Sequence, residues 1–175
     1  TYDDAKALED LPYVEGVTTV LNGTGTISYG RETKDISYDG ATEMHPLVNS
    51  HNVLYGRFFT TEDIRTNARV IALGYDVASD MFRDVQDAIG LKVKLEDQKY
   101  TVIAVMEKKG SQVFGSPDDT AYLPITTVQK RLLSVDYVQA IRIIVEDEAY
   151  IDLTRERIKD ILRYRHKIRD PADDD

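Results

Sequence analysis

The sequence predicts an α+β fold of two lobes, with a split βαβ-like lobe built from both chain ends and an inserted mixed α/β lobe. Three observations predict it. The chain opens with a helix and a hairpin, it closes with an apolar strand and a long helix, and its middle mixes short strands with short helices. Its 175 residues, 42% of them apolar, have the composition of a globular protein that can bury a core.

The opening segment predicts a helix followed by a β-hairpin. Thr1 can cap the helix, which carries two acids in its first turn. From 17 to 29 apolar and polar residues alternate, which predicts one long strand, and 36–42 returns as a second strand. Gly23 and Gly25 lie on the apolar face of the first strand, where a bulge or a close approach of backbone is the usual reason for glycine.

The middle of the chain begins where the periodicity is lost. Residues 45–52 predict a short helix or a loop, and a crossing between the two lobes. The run Thr60-Thr61-Glu62-Asp63 is a helix-start signature. Val70-Ile71-Ala72-Leu73 predicts a short buried strand, and Gly74 opens the helix that follows it.

A second hairpin is the clearest element of the middle region. Residues 91–95 alternate apolar and charged side chains, which is typical of a half-buried strand. A tight reversal at Asp97-Gln98 leads to 100–105, a run of β-branched and aromatic residues that suits a central strand.

The last third of the chain predicts a loop, a short helix, a strand and a long helix. The loop covers 107–120 and is rich in Gly, Ser, Pro and Asp, and the short helix covers 125–133. The strand over 138–145 is strongly apolar but is interrupted by Arg142. The final helix, over 149–166, has an apolar stripe on one face and basic residues at its end, where cations suit the helix dipole.

Charge and cysteine content exclude several classes of function. The chain has 31 acidic and 22 basic residues and a formal charge of −9, which argues against a nucleic-acid partner because phosphate binding needs a basic field. It has no cysteine, so disulfides, thiolate nucleophiles and Cys-ligated metals are excluded. No apolar run approaches the ~20 residues that cross a bilayer.

The histidines do not predict a metal site. His45 and His51 are six residues apart in an irregular segment, which does not match helical ligand spacing, so surface polar residues are the preferred interpretation. His166 lies at the end of the last helix, where it is expected to interact with the helix dipole.

No motif predicts catalysis. Asp118-Asp119 and Glu62-Asp63 are adjacent carboxylates of the kind common in turns and first helical turns. Residues 22–26 look superficially like a phosphate-binding loop but lack the following Lys-Ser/Thr, so a strand with glycines is preferred. We therefore predict a non-catalytic domain with no cofactor and no metal.

An ordered series of short motifs runs through most of the chain and resembles the extracytoplasmic core domain of MacB/FtsX-type ABC transporter permeases. Each motif is weak alone, and their order is what carries the resemblance. Ala104 departs from the pattern, because the family usually has glycine there. The motifs are Leu54-Tyr55-Gly56-Arg57-Phe58-Phe59, Val70-Ile71-Ala72-Leu73-Gly74, Ile89-Gly90, Tyr100-Thr101-Val102-Ile103, Tyr122-Leu123-Pro124 and Leu162-Arg163-Tyr164-Arg165-His166.

The resemblance implies a position and an organisation for the domain. It would lie on the extracytoplasmic side of a cell membrane, between the first two membrane helices of a permease. Residues 1–44 and 136–170 would form a split, membrane-proximal, porter-like lobe, and 45–135 the inserted lobe. The acidic tail, 171–175, would lead towards a membrane segment outside this sequence.

The resemblance also implies partners. ATP hydrolysis by a cytoplasmic ABC ATPase domain or subunit would drive the extracytoplasmic domain through the membrane helices, for export or for work on a membrane-fusion adaptor. The isolated domain would be a monomer and the full-length permease a dimer. Loop 107–120 is the predicted partner contact, because long polar loops in compact domains are commonly functional, and the alternative is a loop that is simply mobile. The residues predicted to touch the partner are Gln112, Val113, Phe114, Ser116 and Asp118.

Other functions remain open at this point. The same fold could serve a system that regulates cell-wall hydrolases, sorts lipoproteins or senses antimicrobial peptides. A free-standing ligand-binding or sensor domain is the alternative from a different class, and a defined small-molecule affinity would distinguish it.

Overall fold

The computed structural model describes residues 1–110 and 116–167. The helices are short except for the last one, and the strands are distributed between two sheets. In chain order the elements are α1 (Tyr2–Glu9), β1 (Val14–Val20), β2 (Asn22–Tyr29), β3 (Glu32–Ala41), α2 (His45–Val48), β4 (Val53–Gly56), α3 (Thr61–Arg65), β5 (Val70–Leu73), α4 (Tyr75–Met81), β6 (Lys92–Leu95), β7 (Gln98–Met106), β8 (Thr120–Pro124), α5 (Ile125–Thr127), a π-helical stretch Val128–Leu133, β9 (Ala140–Val145) and α6 (Ile151–His166).

The two chain ends form a small lobe, here called the terminal lobe, made of α1, β1, β9 and α6. Strands β1 and β9 pair antiparallel, with Val17 opposite Ile143. Both helices contribute to one small core, in which Ala5, Leu8 and Val17 are buried. The lobe is therefore a two-stranded sheet with two helices packed against it.

The remaining strands form a larger sheet, here called the barrel lobe. Its strand order is β4-β7-β5-β8-β3-β2-β6, and β6 also pairs with β7. Strand β7 is long enough to pair along one edge with β6 through 98–101 and with β4 through 104–106. The pairing of β6 with β7 closes the ring β7-β5-β8-β3-β2-β6, and β4 joins it through β7. These strands and the helices packed on them bury one core of apolar side chains.

Side chains of neighbouring strands explain the two glycines of β2, and closure of the barrel accounts for the second of them. The seam between β2 and β6 is only two residue pairs long, and Glu96 reinforces it. The Glu96 main-chain N–H donates to the Thr26 carbonyl at 3.0 Å, and the Thr26 N–H donates to Glu96 Oε1 at 2.8 Å. A Cβ on Gly25 would collide with that carboxylate, and one on Gly23 would collide with the ring of Tyr38. Side chains, and not the predicted bulge or close approach of backbone, therefore occupy the space next to both glycines.

The prediction of one continuous strand over 17–29 was wrong, because the chain leaves one sheet and enters the other at Leu21. The Leu21 N–H donates to the Asp39 carboxylate at 3.1 Å, so a side chain satisfies the donor that a ladder would otherwise use. In consequence β2 and β3, which the sequence grouped with the terminal segment 1–44, lie in the barrel lobe, where β3 pairs in parallel with β8.

Most local signals produced the predicted elements, and the predicted α+β class is confirmed. Thr1 and Thr60 cap α1 and α3 through complete capping boxes, and Gly74 precedes α4. The second hairpin forms as β6 and β7, with the two-residue connection at Glu96 and Asp97, one residue earlier than predicted.

Candidate functional site: the loop base and the lobe junction

The stems of the predicted partner loop are joined by Asp118. Its side chain is only 1% exposed, although it lies in a polar turn between β7 and β8. Its two carboxylate oxygens accept the main-chain N–H groups of Lys109, at 2.8 Å, and Gly110, at 2.7 Å. A buried carboxylate with two amide donors is a strong tie, so the outgoing and returning stems are held together at their base.

Helix α4 packs directly against the returning stem. The Gly74 N–H donates to the Thr120 carbonyl at 2.9 Å. A Cβ on Gly74 would lie 2.6 Å from the Pro117 oxygen and 2.7 Å from the Thr120 oxygen, so only glycine fits at this position. The Tyr122 hydroxyl donates to the same Pro117 oxygen at 3.3 Å, which fixes the stem from the barrel side.

Ion pairs surround the loop base on the barrel lobe. Lys108 Nζ lies 2.8 Å from Asp76 Oδ1 in α4 and over the ring of the neighbouring Tyr75. Lys34 in β3 bridges Asp80 of α4 and Asp119 of the returning stem. These pairs are partly exposed, so each adds little to stability, but together they orient the stems against α4.

The expectation that His45 and His51 are surface residues was wrong. They are 4% and 2% exposed, and their ring centroids lie 4.5 and 5.9 Å from that of Tyr122. Burial, together with the nearby His51, Arg142 and Lys109, lowers the pKa of His45 to about 3. Burial also lowers the pKa of His51, whose Nε2 lies 2.8 Å from the Glu107 carbonyl oxygen. The two rings are therefore packing elements beneath the outgoing stem.

Asn49, at the end of α2, connects three parts of the molecule. Its Nδ2 donates to the His45 carbonyl at 3.0 Å within α2. Its Oδ1 accepts a hydrogen bond from Arg142 Nη1, in β9 of the terminal lobe, at 2.7 Å. Its carbonyl accepts a hydrogen bond from Lys109 Nζ, in the outgoing stem. Arg142, the charged residue within the apolar strand β9, therefore joins the terminal lobe to α2 across the lobe junction.

A buried acid lies at the same junction. Asp39 is 8% exposed, and its carboxylate accepts the Leu21 N–H where the chain crosses between the lobes. Burial raises the pKa of Asp39 to about 6, and the Leu21 N–H and the positive charge of Arg142 oppose that rise. Burial also raises the pKa of Tyr122, and the negative charges of Asp39 and Asp118 add to the effect.

A second buried acid joins the two ends of the terminal lobe. Asp4 in α1 accepts from Arg165 Nε at 2.6 Å, and its other oxygen lies 3.0 Å from His166 Nε2. Burial would raise the pKa of Asp4, but hydrogen bonds from the chain-terminal ammonium, Arg165, Thr1 and His166 outweigh it and hold the pKa well below its usual range. His166 lies in the last turn of α6, as expected, and also contacts this acid.

Of the five residues predicted to contact a partner, Gln112, Val113 and Phe114 lie outside the described residues. Ser116 lies on the returning stem, where its carbonyl accepts from Thr120 Oγ1 at 3.0 Å. The side chain of Asp118 points into the loop base, so its part in any contact is to hold the loop in shape.

Sequence reasoning missed Asn49, His45 and Asp39 as members of one polar cluster. One signal was available, namely the charge of Arg142 within an apolar strand, because a charge in such a run usually has a partner. In residues 1–110 and 116–167, no group of three or more His, Asp or Glu side chains is placed to hold a metal ion. No helix in the same ranges is long and apolar enough to cross a membrane.

Comparison with known proteins identifies the domain. The model of the MacB-like periplasmic core domain matches residues 1–161. The chain is 30% identical over 171 residues to the macrolide export ATP-binding/permease protein MacB of Hyphomonas neptunium, covering 97% of this chain. It is 28% identical to the MacB of Chlorobium luteolum over 174 residues. The chain spans 26% of the length of each of these relatives.

Two solved structures share the fold. One is the extracellular domain of the ABC-type transporter YknZ from Gram-positive bacteria, with a TM-score of 0.80, 21% identity and coverage of 97% of this chain and 85% of that one. The other is the periplasmic region of MacB from Actinobacillus actinomycetemcomitans, with a TM-score of 0.79, 18% identity and coverage of 95% and 74%. With the family match over almost the whole chain, these findings show that this chain belongs to the MacB-like periplasmic core domains, the extracytoplasmic part of MacB/FtsX-like ABC transporter permeases.

Proposed function

We propose that this domain couples ATP hydrolysis on the cytoplasmic side of a permease to a membrane-fusion adaptor, and so to export, on the outer side. The observation that carries the proposal is the family match over residues 1–161. The relatives are named as macrolide export ATP-binding/permease proteins, so an ATPase belongs to the same kind of protein. The ATPase of this system would act from another part of the parent protein or from a second subunit.

Loop 107–120 is the proposed contact with the adaptor. Its two described stems are tied by Asp118, and the returning stem lies against α4, so the base of the loop is held on the barrel lobe. A base that is already fixed does not have to be ordered when the partner binds, and this favours affinity. Phe114 supplies an aromatic side chain of the kind that dominates binding energy at interfaces.

The test replaces residues 111–115 with a Gly/Ser linker of equal length. We expect the free energy of unfolding to stay unchanged, because the linker leaves Asp118 and both stems intact. Affinity for the adaptor of the same transporter, measured by surface plasmon resonance on the immobilised chain, should fall by about tenfold or more. In the parent transporter, stimulation of ATP hydrolysis by the adaptor should fall in parallel.

A control variant carries Arg31→Ser in the β2–β3 turn, which is exposed and belongs to no part of the loop base. It should bind the adaptor as the unsubstituted chain does. Equal affinity of the loop-swapped and unsubstituted chains would remove the loop from the proposal. Failure of the unsubstituted chain to bind the adaptor would overturn the adaptor as its partner.

A further inference from the structure

We propose that Arg142 and Asn49 form a mechanical link through which displacement of loop 107–120 reaches strand β9 of the terminal lobe. The inference rests on the proposed role of the loop and names the residues that carry its movement. Four features of the structure support it: the contact of the stem with Asn49, the contact of Asn49 with β9, the buried support beneath both, and the way each strand of the terminal lobe is attached.

The first step leads from the loop stem to Asn49. Asp118 binds the main-chain N–H of Lys109, so this residue follows any movement of the loop base. The side chain of Lys109 in turn donates from Nζ to the Asn49 carbonyl. Its sequence neighbour Lys108 points elsewhere, since its Nζ lies 2.8 Å from Asp76 Oδ1 of α4. Of these two adjacent lysines, one is joined to the lobe junction and the other to the barrel lobe.

The second step leads from Asn49 to the terminal lobe. The Asn49 side-chain oxygen accepts from Arg142 Nη1 at 2.7 Å. Arg142 stands opposite Thr18 in the β1–β9 ladder, near the middle of its strand. Strand β9 continues through a short turn into α6, so a pull on this guanidinium acts on the strand that leads into the longest helix.

The third feature is the buried packing beneath Asn49. Asn49 is anchored to α2 through the His45 carbonyl, and the His45 ring packs on Tyr122 of β8 with centroids 4.5 Å apart. Both side chains are buried, at 4% and 3% exposure. Closely packed side chains of this kind transmit a displacement and do not absorb it, because protein interiors have low compressibility.

The fourth feature is that β1 and β9 are attached to the barrel lobe differently. Strand β1 is held by buried bonds, among them Thr42 Oγ1 to the Val17 carbonyl at 2.8 Å and the Leu21 N–H to Asp39 at 3.1 Å. Strand β9 itself is tied to the barrel lobe through an exposed side chain, Arg142 to Asn49. The segment just before the strand adds Gln139 Oε1 to the Asn22 N–H at 2.9 Å and Gln129 Nε2 to the Tyr137 carbonyl at 2.9 Å. Strand β1 is therefore the fixed side of the lobe, and β9 is the side that the link can move.

Hydrogen exchange on the whole chain tests the link without a partner. Lys109→Met removes the contact with Asn49, and we expect the amides of 140–145 to exchange faster by about threefold or more. Lys108→Met is the matched control and should leave β9 unchanged. Arg142→Met should give the same acceleration as Lys109→Met, and the double variant should exchange no faster than either single one, because all three break the same link.

The proposal is overturned by an unchanged β9 in Lys109→Met, by an equal acceleration in Lys108→Met, or by additive effects in the double variant. Arg142→Lys, which keeps the charge, is a second variant in case Arg142→Met does not fold. Because lysine keeps the charge but not the guanidinium that reaches Asn49, it should accelerate exchange of 140–145 by less than Lys109→Met does, and an unchanged rate would overturn the link. Because no adaptor takes part, failure of the link is distinguishable from failure of the loop to bind its partner.

Discussion

The two lobes differ in how they achieve stability. The barrel lobe closes its strands into a ring and buries apolar side chains from every one of β5 to β8. The terminal lobe has a two-stranded sheet, and its buried apolar core consists of Ala5, Leu8 and Val17 with partly buried neighbours. A two-stranded sheet is marginal alone, so this lobe depends on its helices and on polar ties such as Asp4 with Arg165. The comparison indicates that the barrel lobe is the more rigid part of the molecule and that the terminal lobe is the less stable part.

This difference suits the proposed function. Elements that move are drawn from the less stable parts of a protein, because opening or displacing them requires little free energy. In the terminal lobe, helix α6 packs along one side only, and Leu153 and Tyr164 remain 45% and 87% exposed. In the proposed function, the rigid lobe carries the contact loop and the more deformable lobe receives the movement.

The largest expected effect tests the two cores directly. Leu123→Ala in β8 empties a fully buried site in the barrel lobe and should lower the free energy of unfolding by about 2–5 kcal/mol. Val17→Ala in β1 removes a fully buried side chain from the smaller core and should lower it by roughly 1–3 kcal/mol. Urea denaturation measures both. A larger loss for Val17→Ala would contradict the assignment of the barrel lobe as the stable body.

The next effect concerns the acid at the junction. The pKa of Asp39 is raised to about 6 by burial, against an unfolded value of about 3.9. The folded state therefore favours the protonated acid, and the contribution of this group to stability is fully present below about pH 4 and is lost as the pH rises through about 6. At pH 7 that loss is of the order of 2–3 kcal/mol.

Asp39→Asn removes this titration. Relative to the unsubstituted chain, the variant should gain stability between about pH 4 and pH 6, as measured by urea midpoints across that range. His45 and His51 have the opposite effect on stability. Burial lowers their pKa values, so the unfolded chain binds more protons than the folded chain and stability rises with pH. The prediction therefore concerns the difference in stability between Asp39→Asn and the unsubstituted chain. A constant difference in urea midpoint across pH 4–6 would exclude it.

The smallest effect separates two adjacent acids at the loop base. Asp118→Ala leaves the N–H groups of Lys109 and Gly110 without their acceptor and should lower the free energy of unfolding by about 1–3 kcal/mol. Asp119→Ala is the matched control, since within the described part of the chain that half-exposed carboxylate pairs only with Lys34, and the loss of this pair should lower stability by no more than about 1 kcal/mol. Equal losses in thermal unfolding would show that the stems are not held by Asp118.

Local signals in the sequence predicted most of the elements. The capping residues Thr1 and Thr60 act within three positions of themselves, and the alternation over 91–95 reports which face of one strand is buried. The single strand predicted over 17–29 failed for the opposite reason. Its alternation continues through Leu21, and the change of sheet there depends on Asp39, which is 18 residues away.

The sequence by itself determined the α+β class and the family, because hydrophobic period, caps and ordered motifs are properties of neighbouring residues. Only the tertiary structure decided that β2 and β3 belong to the barrel, that His45 and His51 are buried, and that Arg142 meets Asn49. Those two residues are 93 positions apart. No local pattern encodes such a pairing, since it arises only when the two lobes pack against each other and bring their polar groups into reach.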